Sequence, residues 1–233
     1  MAFRRLLLAV TVMLGSVTIN ASGQEQADLP ETAQTVLQDF LVAARTNHTD
    51  KLIAGLKSGL PVDSSDASGR TALMIATHAN AIDAARVLIE AGADVNAKDH
   101  LQDSPYLYAG AEGRLEILKM TVAAGADLKA VNRYGGTALI PAAHHAHVEV
   151  VRYLLTTKTD IDHVNFLGWT ALLEAVILGD GGPTYQEIVD LLLQAGAETS
   201  IGDKEGVTAL EHAKSRDQAE ITRLLEKAAE KRD

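Results

Sequence analysis

From about residue 33 to residue 228, apolar side chains recur in short paired runs at helical spacing, each pair closed by a stop and a polar hairpin. The first pair is marked by Val36, Leu37, Phe40 and Leu41, then by Leu52, Ile53 and Leu56, which the spacing predicts to face inward, with Gly59 ending the second helix. The stretch from Asp66 to Asp99 sets the plan for the later copies. Its closing GADVNAKD at residues 92–99 recurs as GADLKAVN at 125–132, KTDIDHVN at 158–165 and GAETSIGD at 196–203. Copies therefore start at Asp66, Asp99, Asn132 and Asn165, each 33 residues after the last, and Asp203 follows 38 residues on. That last interval places five extra residues in the fifth copy, expected to lengthen the loop Gly179–Gln186 between its helices. A threonine or serine stands where its oxygen can cap each first helix: Thr71, Ser104, Thr137, Thr170 and Thr208. Pro105 occupies a first helical position, where no donor is lost.

The residues G-x-T-A-L stand at Gly69–Leu73, Gly168–Leu172 and, as GVTAL, at Gly206–Leu210, with GGTAL at Gly135–Leu139 and DSPYL at Asp103–Leu107. With the 33-residue period they make the chain resemble the ankyrin-repeat family. The resemblance implies an all-α solenoid of about five to six repeats, degenerate caps included. Copies fall near 33–65, 66–98, 99–131, 132–164, 165–202 and 203–228, with a polar tail at 229–233. The chain departs from the family's T-P-L-H in carrying Met74, Leu107, Ile140, Leu173 and Glu211 at the histidine position. Copy four breaks two further rules. Lys158 replaces the glycine stop, with an expected cost of about 1 kcal/mol for a left-handed backbone, and Pro141 lies one place past the free donors of its helix, which predicts a shifted cap or a lost bond.

Ahead of the array, Arg4 and Arg5, the apolar run Leu6–Leu14 and the small residues Ala21–Gly23 follow the order of a signal peptide, so residues 1–23 read as a leader and 24–32 as a mobile linker. The leader predicts a periplasmic protein, or a secreted one as second choice, with no membrane insertion once the leader is removed. Its loss takes the net charge from −10 to −12. A chain so acidic repels phosphate backbones, which argues against nucleic acid and favours a partner protein with a basic patch. The absence of cysteine removes disulfides, thiolate metal sites and a cysteine nucleophile.

Chemistry is sparse. His144, His145 and His147 form a metal-like cluster with Glu149 as the nearest fixed carboxylate in sequence, while Thr170, Glu174 and the other acids lack a base and a positioned partner. No catalytic residue, metal ligand or cofactor is assigned. Family members bind through hairpin tips and the face of the first helices, and by that resemblance the contact surface centres on Arg133, Tyr134, Phe166, Leu167 and Trp169. His144, His145, Ile177 and Leu178 stand behind it. Trp169 reads equally as a turn tryptophan packed on its neighbour. The functional expectation is an exported, non-enzymatic protein-binding module. Small ankyrin-like proteins of the bacterial envelope that resemble this one suggest support of an envelope enzyme, for example a haem catalase in peroxide defence. Two alternatives stand beside it: an immunity-type inhibitor of a delivered toxin, and a metal-binding or hydrolytic protein using His144, His145 and His147.

Overall fold

The structure, a computed structural model, describes residues 31–230 together with two short strands, β1 (Thr18–Ile19) and β2 (Glu25–Gln26), paired antiparallel. Apart from these strands, the expected leader (1–23) and most of the linker lie outside the described residues, as does the end of the polar tail. Among the described residues, twelve helices follow in six antiparallel pairs: α1 (Glu31–Arg45) with α2 (Thr49–Lys57), α3 (Ala72–His78) with α4 (Ile82–Glu90), and α5 (Pro105–Ala111) with α6 (Leu115–Ala123). After these come α7 (Leu139–His144) with α8 (Val148–Leu154), α9 (Ala171–Leu178) with α10 (Pro183–Gln194), and α11 (Ala209–Ser215) with α12 (Ala219–Glu230). First helices stack on first helices and second on second, so the core is a line of neighbouring interfaces. Helix α1 begins two residues inside the expected linker. In the first copy Leu52 is fully buried but Ile53 is exposed, because α2 has only one neighbour along the stack.

The local signals behave as helix chemistry dictates at most positions. Thr71, Ser104, Thr170 and Thr208 each accept a hydrogen bond from the backbone N–H three residues on, which satisfies one of the orphan donors of a helix start. Gly59, Gly92, Gly125 and Gly196 adopt φ between +87° and +97° at the stops. Lys158 does not. The α8 end closes instead through Thr156 and Thr157, whose hydroxyls donate to the carbonyls of Tyr153 and Leu154, so no left-handed residue is needed there. Copy four carries that strain elsewhere, at Ala146, where φ is +60° and the equivalent residues are Asn47, Asn80, Gly113, Gly181 and Asp217.

Thr137 is the one expected cap that fails, and Pro141 is the reason. Elsewhere the fifth residue of the motif donates its N–H to the cap carbonyl, as Ile75 does to Thr71 and Glu174 to Thr170. Pro141 has no N–H, so Ile140 turns its own to the Thr137 carbonyl at 3.2 Å and no longer reaches the hydroxyl. Helix α7 then starts only at Leu139, and the buried Thr137 Oγ1 has no partner among the described residues. Pro141→Ala restores the missing donor and frees Ile140 for the cap. It is expected to stabilise the protein by about 1 kcal/mol, read as a higher urea midpoint; a lower midpoint would show that the proline ring is worth more than the cap.

The five extra residues of copy five scarcely lengthen its loop. Compared with copy three, the first helix and the loop each gain one residue and α10 gains three at its start, where Pro183 is the first helical residue. The added turn places Tyr185 so that its hydroxyl donates to the His144 carbonyl at 2.7 Å. Gln218 likewise donates to the Val176 carbonyl at the end of α9. In both cases the open carbonyls of one repeat are met by a side chain of the next.

Candidate binding groove

The hairpin tips are built around the first residue of each copy. Asn165 Oδ1 accepts the N–H groups of Leu167 and Trp169 at 2.9 and 3.0 Å, and Asn132 does the same for Tyr134 and Gly136. Asp66, Asp99 and Asp203 repeat the pattern. The turn fixes where residues two places on can point, and in copies four and five those residues are Tyr134 and Leu167. A backbone bond from Phe166 N to the Tyr134 carbonyl, 2.9 Å, ties the two tips side by side.

Between these tips and the first helices of copies three to five lies an open groove of about 420 Å³. Of the nine residues expected to form the contact surface, Arg133, Tyr134, His144, His145, Leu167 and Leu178 line it. Phe166 stands beside it, 69% exposed, with its ring over Gly135; at φ +75° that glycine leaves room which a Cβ would close to 2.5 Å. The other two are not among its lining residues. Ile177, only 8% exposed, faces the core because it lies one residue round the helix from Leu178. Trp169 is half-buried and packs against the core, which matches the turn-tryptophan reading.

Spacing did not disclose the residues that complete the groove. Tyr108 reaches it from α5, its ring stacked on His78 at 3.7 Å, and Ile140 and Pro141 reach it from α7. Glu174 forms part of the floor, and contrary to expectation it has positioned partners. Asn165 Nδ2 donates to its Oε1 at 2.8 Å, and His144 Nδ1 lies 3.5 Å from Oε2. The signal was available: Asn165 and Glu174 are nine residues apart, as are Asp203 and His212, which bond at 2.7 Å with donor and acceptor exchanged. In copies five and six the turn asparagine thus meets an acceptor and the turn aspartate a donor at that spacing, whereas Asp66, Asp99 and Asn132 have Ile75, Tyr108 and Pro141 there.

Electrostatically the groove is uneven. Burial pushes the Glu174 carboxyl up to about 7, with the Asn165 hydrogen bond and His145 pulling the other way. Burial, then the neighbouring His145, holds His144 below the usual histidine range, so this contact does not carry two full charges near neutrality. Arg133 is engaged by its own chain, 3.3 Å from Asp103 and 5.2 Å over the Tyr134 ring.

The histidine cluster is spent on scaffolding. Helix α7 ends at His144, the chain turns at Ala146, and His147 precedes α8, so His144 and His147 do not share a helix face. Both His145 Nδ1 and His147 Nε2 point at the Ala111 carbonyl, at 2.7 and 3.1 Å, closing the end of α5 in the preceding repeat. Among the described residues no group of three or more His, Asp or Glu side chains is arranged to hold a metal ion. No described helix is long and apolar enough to cross a membrane.

Comparison with known proteins agrees with this architecture. A family model described as ankyrin repeats (3 copies) matches residues 12–99 and 106–203. The crystal structure of an ankyrin repeat domain from Acinetobacter baumannii AYE is 56% identical and superposes with a TM-score of 0.80, covering 82% of this chain and 97% of that one. A second crystallised ankyrin repeat protein, EF0377, is 44% identical with a TM-score of 0.78 over 82% of this chain and 97% of its own. A shorter match, 50% identical over 52 residues, links 22% of the chain to the ankyrin repeat protein YahD of Escherichia coli (strain K12), spanning only 26% of that relative.

Proposed function

Because the chain belongs to the ankyrin-repeat family, whose members are in general non-catalytic protein-binding modules, we propose that it is an exported, non-enzymatic module that holds a partner protein in the groove of copies three to five. The observation that carries this reading is the placement of large apolar surface. Tyr134, Phe166, Leu167 and Leu178 are all exposed and cluster at one groove, where an exposed patch is worth keeping only if something covers it. The net charge of −10 favours a partner with a basic patch. An envelope enzyme such as a haem catalase is the first partner to test, and a delivered toxin the second.

Replacing Tyr134 and Phe166 together by alanine is expected to leave melting and circular dichroism nearly unchanged, because both rings are exposed, and to weaken the partner by about 2 kcal/mol or more. Photo-crosslinking from position 134 identifies the partner, and calorimetry with the purified pair measures the loss. Undiminished affinity in a folded double variant would move the surface away from this groove.

Export is supported by the order of basic, apolar and small residues ahead of the array. N-terminal sequencing of envelope-fraction protein is expected to begin after Ala21 or Gly23, and a chain still starting at Met1 there would refute export by cleavage.

A further inference from the structure

The groove floor holds a buried carboxyl group that the turn does not require. Glu174 is only 6% exposed, and its Oε1 already serves the hairpin by accepting from Asn165. A glutamine oxygen would serve the turn equally well without placing a carboxylate out of water. Its other oxygen, Oε2, accepts no hydrogen bond among the described residues and has His144 Nδ1 at 3.5 Å. That imidazole holds its proton weakly, because burial and His145 disfavour the charged form. In the next repeat the place of Glu174 is taken by His212, which is bonded to Asp203. Across the groove Glu112 stands exposed with no ion-pair partner among the described residues, and Arg133 is taken by Asp103. Tyr108, Tyr134, Ile140 and Leu167 line the same groove and supply its aromatic and aliphatic walls.

We infer that the groove receives an arginine side chain from the partner protein, its guanidinium on Oε2 of Glu174 and its stem between the aromatic and aliphatic walls. The inference rests on the groove being the partner surface. Arginine fits better than lysine because a planar, weakly hydrated guanidinium can stack on a tyrosine while it bonds a carboxylate. The same chain shows that geometry once already, in Arg133 between Asp103 and Tyr134. A compact segment with arginine flanked by apolar residues would cover the exposed Leu167 and Leu178 while its charge reaches the floor.

The test uses the mature chain and two labelled probes, the blocked pentapeptide Ser-Leu-Arg-Leu-Ser and its analogue with uncharged citrulline in place of arginine, titrated by protein-observed NMR at pH 8. The arginine probe is expected to bind at least about tenfold tighter than the citrulline probe, with shifts centred on the backbone signals of Tyr134, Asn165 and Glu174. Glu174→Gln, which keeps the Asn165 bond, is expected to erase that preference. Equal affinity for the two probes, no binding of either, or an undiminished preference in Glu174→Gln overturns the inference. Tyr134→Ala with Phe166→Ala separates the two claims. If this double variant weakens the arginine probe while Glu174→Gln does nothing, the groove stands and the role of Glu174 falls; if neither variant has an effect, both fall.

Discussion

Glu174→Gln is expected to raise the stability of the free protein at pH 8 by about 1 to 3 kcal/mol and to change it little near pH 4. In the folded chain the carboxyl sits at about 7 against an ordinary 4.5, with desolvation the largest cause. The folded state therefore keeps a proton that the unfolded state has already released between those values. Stability contributed by this group is complete below pH 4.5 and falls as pH rises through 7. Glutamine does not titrate and still accepts from Asn165, so the variant escapes that penalty at pH 8. Below pH 4.5, where the native carboxyl is protonated in both states, the two proteins should converge. Urea midpoints at pH 4, 6 and 8 provide the measurement, and a variant less stable than the native chain at pH 8 would mean that His144 and water stabilise the carboxylate more than burial harms it. Greater stability together with weaker binding of the arginine probe would mark Glu174 as a residue kept for binding.

Gly110→Leu is expected to destabilise the array by about 3 kcal/mol and to loosen the groove with it. Gly110 lies within α5 against the start of α7, where a Cβ would sit 2.8 Å from Ala138 Cβ and 3.2 Å from its carbonyl oxygen. Neither atom can move without displacing α7, whose start is already shortened by Pro141. The remaining leucine atoms then force copies three and four apart. Because a solenoid is held by nearest-neighbour interfaces, the two halves should unfold in separate steps, visible as fluorescence of Trp169 and circular dichroism losing coincidence. Gly92→Ala is the control: its Cβ meets nothing within 4 Å, so only the positive φ is strained, at about 1 kcal/mol. Equal effects of the two substitutions would mean that the α5–α7 interface can yield.

Most of the architecture could be read from the chain because its determinants are local. A hydroxyl caps the N–H three residues on, a glycine closes the turn directly after its helix, and the 33-residue period places each signal again. The groove was half legible. Tip positions led to Arg133, Tyr134 and Leu167, since a turn residue points outward wherever its repeat is stacked, whereas Ile177 and Leu178 are adjacent in sequence and only the neighbouring helix decides which is covered.

What the sequence by itself determined is the repeat, its period, four of the five expected caps and the glycine stops, all set by bonds within one repeat. Tertiary structure alone decided the rest. Contacts such as His145 on the Ala111 carbonyl, Tyr185 on that of His144, and Gln218 on that of Val176 join residues 34 to 42 positions apart. The strain of copy four sits at Ala146 instead of Lys158, and the extra residues of copy five extend a helix that reaches back over its neighbour. The physical reason is common to all of these. A single ankyrin repeat cannot cover its own apolar face or satisfy all its helix ends, so the side chains that finish one repeat, and the buried carboxyl on the groove floor, are defined only when the next repeat is in place.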